Sequence, residues 1–296
     1  MHVFVTGATG YIGSAVVREL IDAGHQVTGL TRSEASAEAL TLAGATPLRG
    51  SLTDLDILAA GASAADGVVH TAFIHDFADF AAAAETDLHA VRALGAAVEG
   101  SDRPLVIASG IAGVLTPGRV SDETDPADPL AGPRAATEQE LLAMSDRGVR
   151  ASAVRLPPTV HGAGDHGFVH ALATTAREHG VSAYIGDGAN RWPAVHRLDA
   201  ARLFRLALEN APAGSRLHAV AEEGIPFRLI AEALGRQLDI EVSSVSAEDA
   251  AEHLGWIGYV AGLDNPAKSE ITRGLVGWQP ERPTVLDDID AGLYSH

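Results

Sequence analysis

No cysteine occurs among the 296 residues, so a disulfide framework, a thiolate zinc site, an iron–sulfur cluster and a cysteine nucleophile are all excluded. Basic residues are scarce: 21 Lys and Arg stand against 39 Asp and Glu, a formal charge of −18. With no basic arm or Lys/Arg cluster, a phosphate backbone would have to bind against the net field, which argues against a nucleic-acid partner. No apolar run approaches the ~20 residues of a membrane span. The opening MHVFVTGATG lacks the basic and apolar regions of a signal peptide. The expectation is a soluble, unprocessed cytoplasmic protein without a membrane partner. What is present is a 46% hydrophobic composition, enough for a proper core in one large or two small domains.

Short branched apolar runs alternate with helix-length segments, the pattern of strand–helix–strand units around a parallel sheet. Strands are expected near Val3 to Thr6, Val27 to Leu30, Thr46 to Arg49, Val68 to Thr71, Leu105 to Ser109 and Ala151 to Leu156. Helices are expected over Tyr11 to Ala23, Ala81 to Val98 and Arg134 to Asp146. In the first, Ile12, Val16, Val17 and Leu20 have one-sided helical spacing and Gly24 is a stop signal. After Arg155 a run of Pro and Gly marks a loop-rich stretch, and strand and helix patterns resume near Leu217 to Val220 and Pro226 to Leu238. The predicted fold class is α/β: a doubly wound, Rossmann-type parallel sheet over residues 1–160 and 193–222. A smaller substrate lobe takes residues 161–192 and 223–296.

TGATGYIG, Thr6 to Gly13, follows the first strand and opens the first helix. Its G-x-x-G-x-x-G spacing assigns Gly7 to a tight turn, Gly10 to close approach of a diphosphate and Gly13 to helix–sheet packing. The amides and dipole of the helix start would hold the diphosphate.

From this motif on, the chain resembles the extended, epimerase-like branch of the short-chain dehydrogenase/reductase superfamily. Further matches are GSLTD (Gly50 to Asp54), VVHTAF (Val68 to Phe73), LVIASG (Leu105 to Gly110), RLPPTVHGAGD (Arg155 to Asp165) and RWPAVHRLDAA (Arg191 to Ala201). The resemblance implies a dinucleotide cofactor contacted by Gly7, Thr9, Gly10, Tyr11, Ile12 and Gly13. It adds Ser51 and Leu52 in an adenine-side turn, and Thr71, Ala72 and Phe73 after the fourth strand. At the end of the second strand GLTRS carries Arg32 and no acid before Glu34. Charge-assisted bonds from Arg32 to a 2′-phosphate would be worth roughly 1.5 to 3 kcal/mol, about ten- to a hundredfold in affinity, so the expected cofactor is NADP(H).

The superfamily's chemistry rests on Ser or Thr with a Tyr-x-x-x-Lys pair, in which tyrosine moves the proton and lysine binds the nicotinamide ribose. Aligning the family's later helical acid with Glu138 puts Arg134 at the lysine and Leu130 at the tyrosine, while Gly110 falls at the serine, beside Ser109. None of Tyr11, Tyr184, Tyr259 and Tyr294 has a basic residue four positions on. Arg134 can keep the ribose contact, although its fork geometry differs from lysine's. For the missing acid the catalytic candidates are Ser109 and His161, then His75 and Tyr184. Phe168, Tyr184, Trp192, Trp256 and Tyr259 fit a pocket wall and a lobe core equally well. No metal ligand set is expected. The reading is an NADP-dependent reductase of a small carbonyl-like substrate. The alternative is a catalytically silent NADP(H)-sensing protein, ahead of a nucleotide-sugar epimerase or dehydratase. By the resemblance, the helices at Ala81 to Val98 and Arg134 to Asp146 correspond to a pair that extended relatives often pack across a dimer axis, and their alanines permit close approach; the other reading is that they cover a monomer's sheet.

Overall fold

The computed structural model describes residues 1–74, 79–114, 119–128 and 134–295. The candidate His75, Leu130 at the aligned tyrosine position, and the side chain of Tyr259 lie outside the described residues. In chain order the elements are β1 (His2–Thr6), α1 (Tyr11–Asp22), β2 (Gln26–Thr31), α2 (Glu34–Leu42), β3 (Thr46–Arg49), α3 (Leu55–Ser63), β4 (Gly67–His70) and α4 (Phe80–Val98). There follow β5 (Pro104–Gly110), α5 (Arg134–Ala143), β6 (Arg150–Leu156), β7 (Thr159–His161), α6 (Phe168–His179), β8 (Val181–Ile185), β9 (Arg191–His196) and α7 (Arg197–Asn210). The chain continues through β10 (Ser215–His218), β11 (Glu222–Pro226), α8 (Phe227–Leu238), β12 (Glu241–Val245), α9 (Ala250–Leu254), α10 (Gly258–Ala261), α11 (Glu270–Val276) and α12 (Val285–Asp290).

Seven strands form a parallel sheet in the order β10-β6-β5-β4-β1-β2-β3. Strand order reverses between β1 and β4, which in a doubly wound sheet opens a crevice at the strands' carboxyl ends. A parallel sheet must be covered on both faces, and the strands' period-2 alternation supplies both layers. Val3, Val5 and Val106 join a core with Val16 and Leu20 of α1 and Phe204 and Leu208 of α7. The intervening Phe4, Leu105 and Ile107 face Leu58 of α3, Val91 and Leu94 of α4 and Leu141 of α5. At the crevice β4 ends at His70, and the next residue, Thr71, donates from both N and Oγ1 to Thr6 O.

The residues after β6 build two smaller sheets, β11-β9-β7 and β12-β8. A third core gathers Trp192, Phe227, Ile230 and Leu234 with α6, α9 and α12. Trp192 is buried in edge contacts with Phe168 and Phe227, while Trp256 is 56% exposed against the Phe168 ring. Trp278 returns to the α1/α7 layer, where its indole N–H donates to Asp199 O. Among the described residues no helix is long and apolar enough to cross a membrane.

Candidate cofactor cleft and its relatives

The turn between β1 and α1 depends on two glycines for different reasons. Gly7 has φ +69, and a Cβ there would stand 2.6 Å from Ala72 N, so the turn closes directly on the segment leaving β4. A Cβ on Gly13 would stand 2.0 Å from Gly7 O and 2.8 Å from Thr71 Oγ1, so the first helical turn lies against the loop. Gly10 is the N-cap of α1, with no side-chain cap and no acid in the first turn. The helix therefore offers uncapped amides and the positive end of its dipole at the crevice. The residues fit a dinucleotide's diphosphate: the loop is cleared of side chains by backbone approach and its charge suits an anion.

The other expected cofactor contacts lie along the same carboxyl edge. Arg32 is exposed just past β2, and no hydrogen bond or ion pair engages it among the described residues. Thr31 pairs in register with Arg49 at the end of β3, which puts a second guanidinium on this edge; Arg49 Nη1 lies 3.6 Å from the exposed Glu34. The Ser51 turn is held by Asp54, whose Oδ2 accepts from Ser51 N and Oγ, both at 2.8 Å, and Leu52 is buried beneath it. Ala72 and Phe73 follow Thr71 beside the glycine turn, and Thr9 is exposed on it. Ile12 packs on the core below. Tyr11 donates to Gly162 O at 3.2 Å and lies under the Arg197 guanidinium. Burial, with Asp165 nearby, pushes its phenol well above the usual range.

On the far side of the switch point, two buried polar networks occupy the α4/α5 face. Ser109, near the end of β5, donates to Glu138 Oε2 at 2.7 Å. Glu138 is paired with Arg155, which is fully buried, and Arg155 also donates to Asp125 O and to His218 Nε2. A Cβ on the neighbouring Gly110 would meet nothing within 4 Å. Arg134, the first residue of α5, donates from Nη2 to Ala108 O at 2.8 Å and stacks 4.3 Å over the Phe73 ring. Its Nε is 3.9 Å from Asp87 Oδ2. Burial pushes the Arg134 pKa down from its ordinary value, and Asp87 and Glu138 oppose the shift. Asp87 accepts from His70 Nε2 at 3.0 Å, and His70 Nδ1 is 2.7 Å from Thr6 Oγ1.

His161 stands elsewhere, at the end of β7 in the three-stranded sheet. It is wholly buried, its Nδ1 is 2.6 Å from Asp288 Oδ2, and its ring meets His196 edge-on. Burial pushes His161 down to about 4 and the Asp288 and Glu222 carboxyls up. Nε2 has no hydrogen-bond partner among the described residues and lies 3.8 Å from Glu222 Oε2. The structure thus gathers the glycine turn, Arg32, the Ser51 turn, the Thr71 segment, Ser109 and Arg134 on one edge of one sheet. His161 reaches that edge only through its neighbour Gly162, which meets Tyr11.

Sequence reasoning missed Asp87, although a signal was available. Asp87 shares the helical face of Ala83, Ala84, Ala90, Val91 and Leu94, all buried, and a carboxylate on an apolar stripe needs a partner.

Comparison with known proteins adds four relations. The NAD-dependent epimerase/dehydratase family model matches residues 3–220. An uncharacterised protein of Schizosaccharomyces pombe is 49% identical over 99% of this chain and all of its own length. A 4-hydroxy-2-methyl-3-oxo-4-farnesyl-3,4-dihydroquinoline-1-oxide ketoreductase of Stigmatella aurantiaca is 27% identical, covering 86% of this chain and 80% of that protein. Among solved structures, a dTDP-glucose 4,6-dehydratase double mutant from Streptomyces venezuelae with NAD bound superposes at TM-score 0.80. That match covers 99% of this chain and 96% of the other at 20% identity, and so concerns the fold. From the glycine turn through β10, this chain belongs to the NAD-dependent epimerase/dehydratase family.

Proposed function

We propose that the chain is an NADP(H)-dependent reductase of a small, apolar, carbonyl-like substrate, working without a Tyr-x-x-x-Lys pair. The observation that carries this reading is Arg32, exposed and unengaged at the end of β2, where a carboxylate would repel a 2′-phosphate. Arg49 supports it from the next strand. Among the described residues its one ion pair is with an exposed glutamate, a contact worth about 0 to 1 kcal/mol and readily exchanged for a phosphate.

The glycine turn and the α1 amides would hold the diphosphate, Arg32 the 2′-phosphate, and Arg134 the nicotinamide ribose. When bound, the nicotinamide supplies the hydride. Ser109 stands at the substrate side with its hydroxyl hydrogen engaged by Glu138, so its oxygen is left to accept from a water that delivers the final proton to the carbonyl oxygen. His161, kept neutral by burial, supports the Gly162 loop instead of acting as the acid. The three arginines near one another in sequence, Arg191, Arg197 and Arg202, each already have protein partners. Arg191 is clamped by Asp264, Arg197 donates to Ala163 O, and Arg202 donates to Gln279 O. An apolar ketone is the better fit, and the ketoreductase among the relatives agrees with it.

Calorimetric titration with NADPH and NADH tests the cofactor. NADPH is expected to bind at least about tenfold tighter, with the gap lost in Arg32→Ala. Equal affinity for the two would refute the assignment. Ser109's commitment to Glu138 also favours a second reading, a silent NADP(H) sensor; NADPH binding without oxidation by any of a panel of apolar ketones would select it.

A further inference from the structure

The buried side chains at the switch point form one continuous polar chain. Thr6 and His70 pair in register on adjacent strands, and both continue the parity of Phe4 and Val68, which face α4. Asp87 reaches them from α4. Thr6, His70 and Asp87 are 0%, 2% and 1% exposed, so each polar atom must find its partner inside the protein. The bonds satisfy this in a single arrangement. His70 Nε2–H donates to Asp87 Oδ1, which leaves Nδ1 to accept the Thr6 hydroxyl. The second carboxylate oxygen of Asp87 then faces Arg134 Nε, a buried donor with no hydrogen-bond partner among the described residues. The Ala108 carbonyl and the Phe73 ring fix the remaining sides of the guanidinium.

Thr6 is also the residue before Gly7, and its carbonyl accepts from Thr71 N and Oγ1. The chain therefore begins under the diphosphate turn and ends at the cation beyond β4 and β5. In a doubly wound sheet a dinucleotide spans the switch point, with its adenosine over the first βαβ half and its second nucleotide over the other. We propose that Asp87, seated by His70 and Thr6, is the positioning residue that aims Arg134 at the nicotinamide half of the cofactor, so that one buried chain ties both halves of the binding cleft together. This inference rests on the dinucleotide-binding reading above.

Asp87→Asn keeps an acceptor for His70 and turns an amide N–H₂ toward Arg134, replacing attraction by a donor–donor clash. Calorimetry with NADPH and with adenosine 2′,5′-bisphosphate, which lacks the nicotinamide half, separates positioning from general damage. The expected result is an NADPH affinity lower by about tenfold or more with the bisphosphate unchanged. Arg134→Leu should show the same pattern, and the double variant should lose no more than either single one. Thr6→Val, which exchanges the hydroxyl for a methyl and so takes the His70 Nδ1 partner away, gives a milder form of this split and serves where Asp87→Asn fails to fold. An unchanged NADPH affinity, equal losses for both ligands, or additive losses would overturn the proposal. A wild-type protein that binds neither NADPH nor NADH would overturn the cofactor reading and this inference together.

Discussion

Replacing Glu138 by glutamine should cost the protein much of its stability, because it leaves a guanidinium buried without its counter-charge. Arg155 is fully buried and Glu138 is 1% exposed, so water cannot replace the lost carboxylate. Removing one partner of such a pair typically costs about 3–5 kcal/mol. At about 2 cal per mol per kelvin per residue, a chain of this length has an unfolding entropy of about 0.6 kcal per mol per kelvin, so Tm should fall by about 5–8 °C. Thermal melts followed by circular dichroism read this directly. Arg155→Met should cost a similar amount, since it strips donors from Glu138, Asp125 O and His218 at once. The double variant Glu138→Gln with Arg155→Met should lose clearly less than the two single losses combined, because the buried Glu138–Arg155 pair is then removed as a whole. A Glu138→Gln protein that melts within a degree of the wild type, or strictly additive losses, would refute the reasoning.

Gly13→Ala should destroy dinucleotide binding even where the protein still folds, since its methyl would stand 2.0 Å from Gly7 O; nucleotide titration together with a melt checks both parts. His218 is held neutral by burial and by the adjacent Arg155 charge, with Nδ1–H donating to Lys268 O. Its folded pKa lies below the unfolded value near 6.5, so the unfolded chain binds the extra proton. The stability it contributes is complete above about pH 6.5 and is lost as the pH falls toward the folded pKa; Tm measured at stepped pH should show a shallower acid slope in His218→Gln than in the wild type.

The local elements of the nucleotide-binding half were readable because each is written within a few residues. Val3 to Thr6 alternates across two core layers, and the helix from Tyr11 carries Val16, Val17 and Leu20 on one side. Gly7, Gly10 and Gly13 mark the turn between them, a spacing dictated by backbone approach. Arg32 was legible for the same reason, as a charge at a fixed offset from a strand end. The helix expected over Arg134 to Asp146 breaks into α5 and a tighter 3₁₀ turn at Met144–Arg147, a boundary set by packing. The smaller sheets joining β7 with β9 and β8 with β12 were likewise beyond local pattern, since their pairing depends on chain segments that meet only after folding.

By itself, then, the sequence determined the period of each strand and helix, the glycine turn after β1 and the positive charge just past β2. These follow from sterics and hydrophobic alternation over short spans. Only the tertiary structure decided that Ser109 donates its hydrogen bond to Glu138, 29 residues away, and that His70 joins Thr6, 64 residues back, to Asp87. It also decided that His161 lies buried against Asp288, 127 residues on. Those partnerships arise because a buried polar group must be satisfied by whatever the fold brings within reach, and no local spacing encodes which residue that will be.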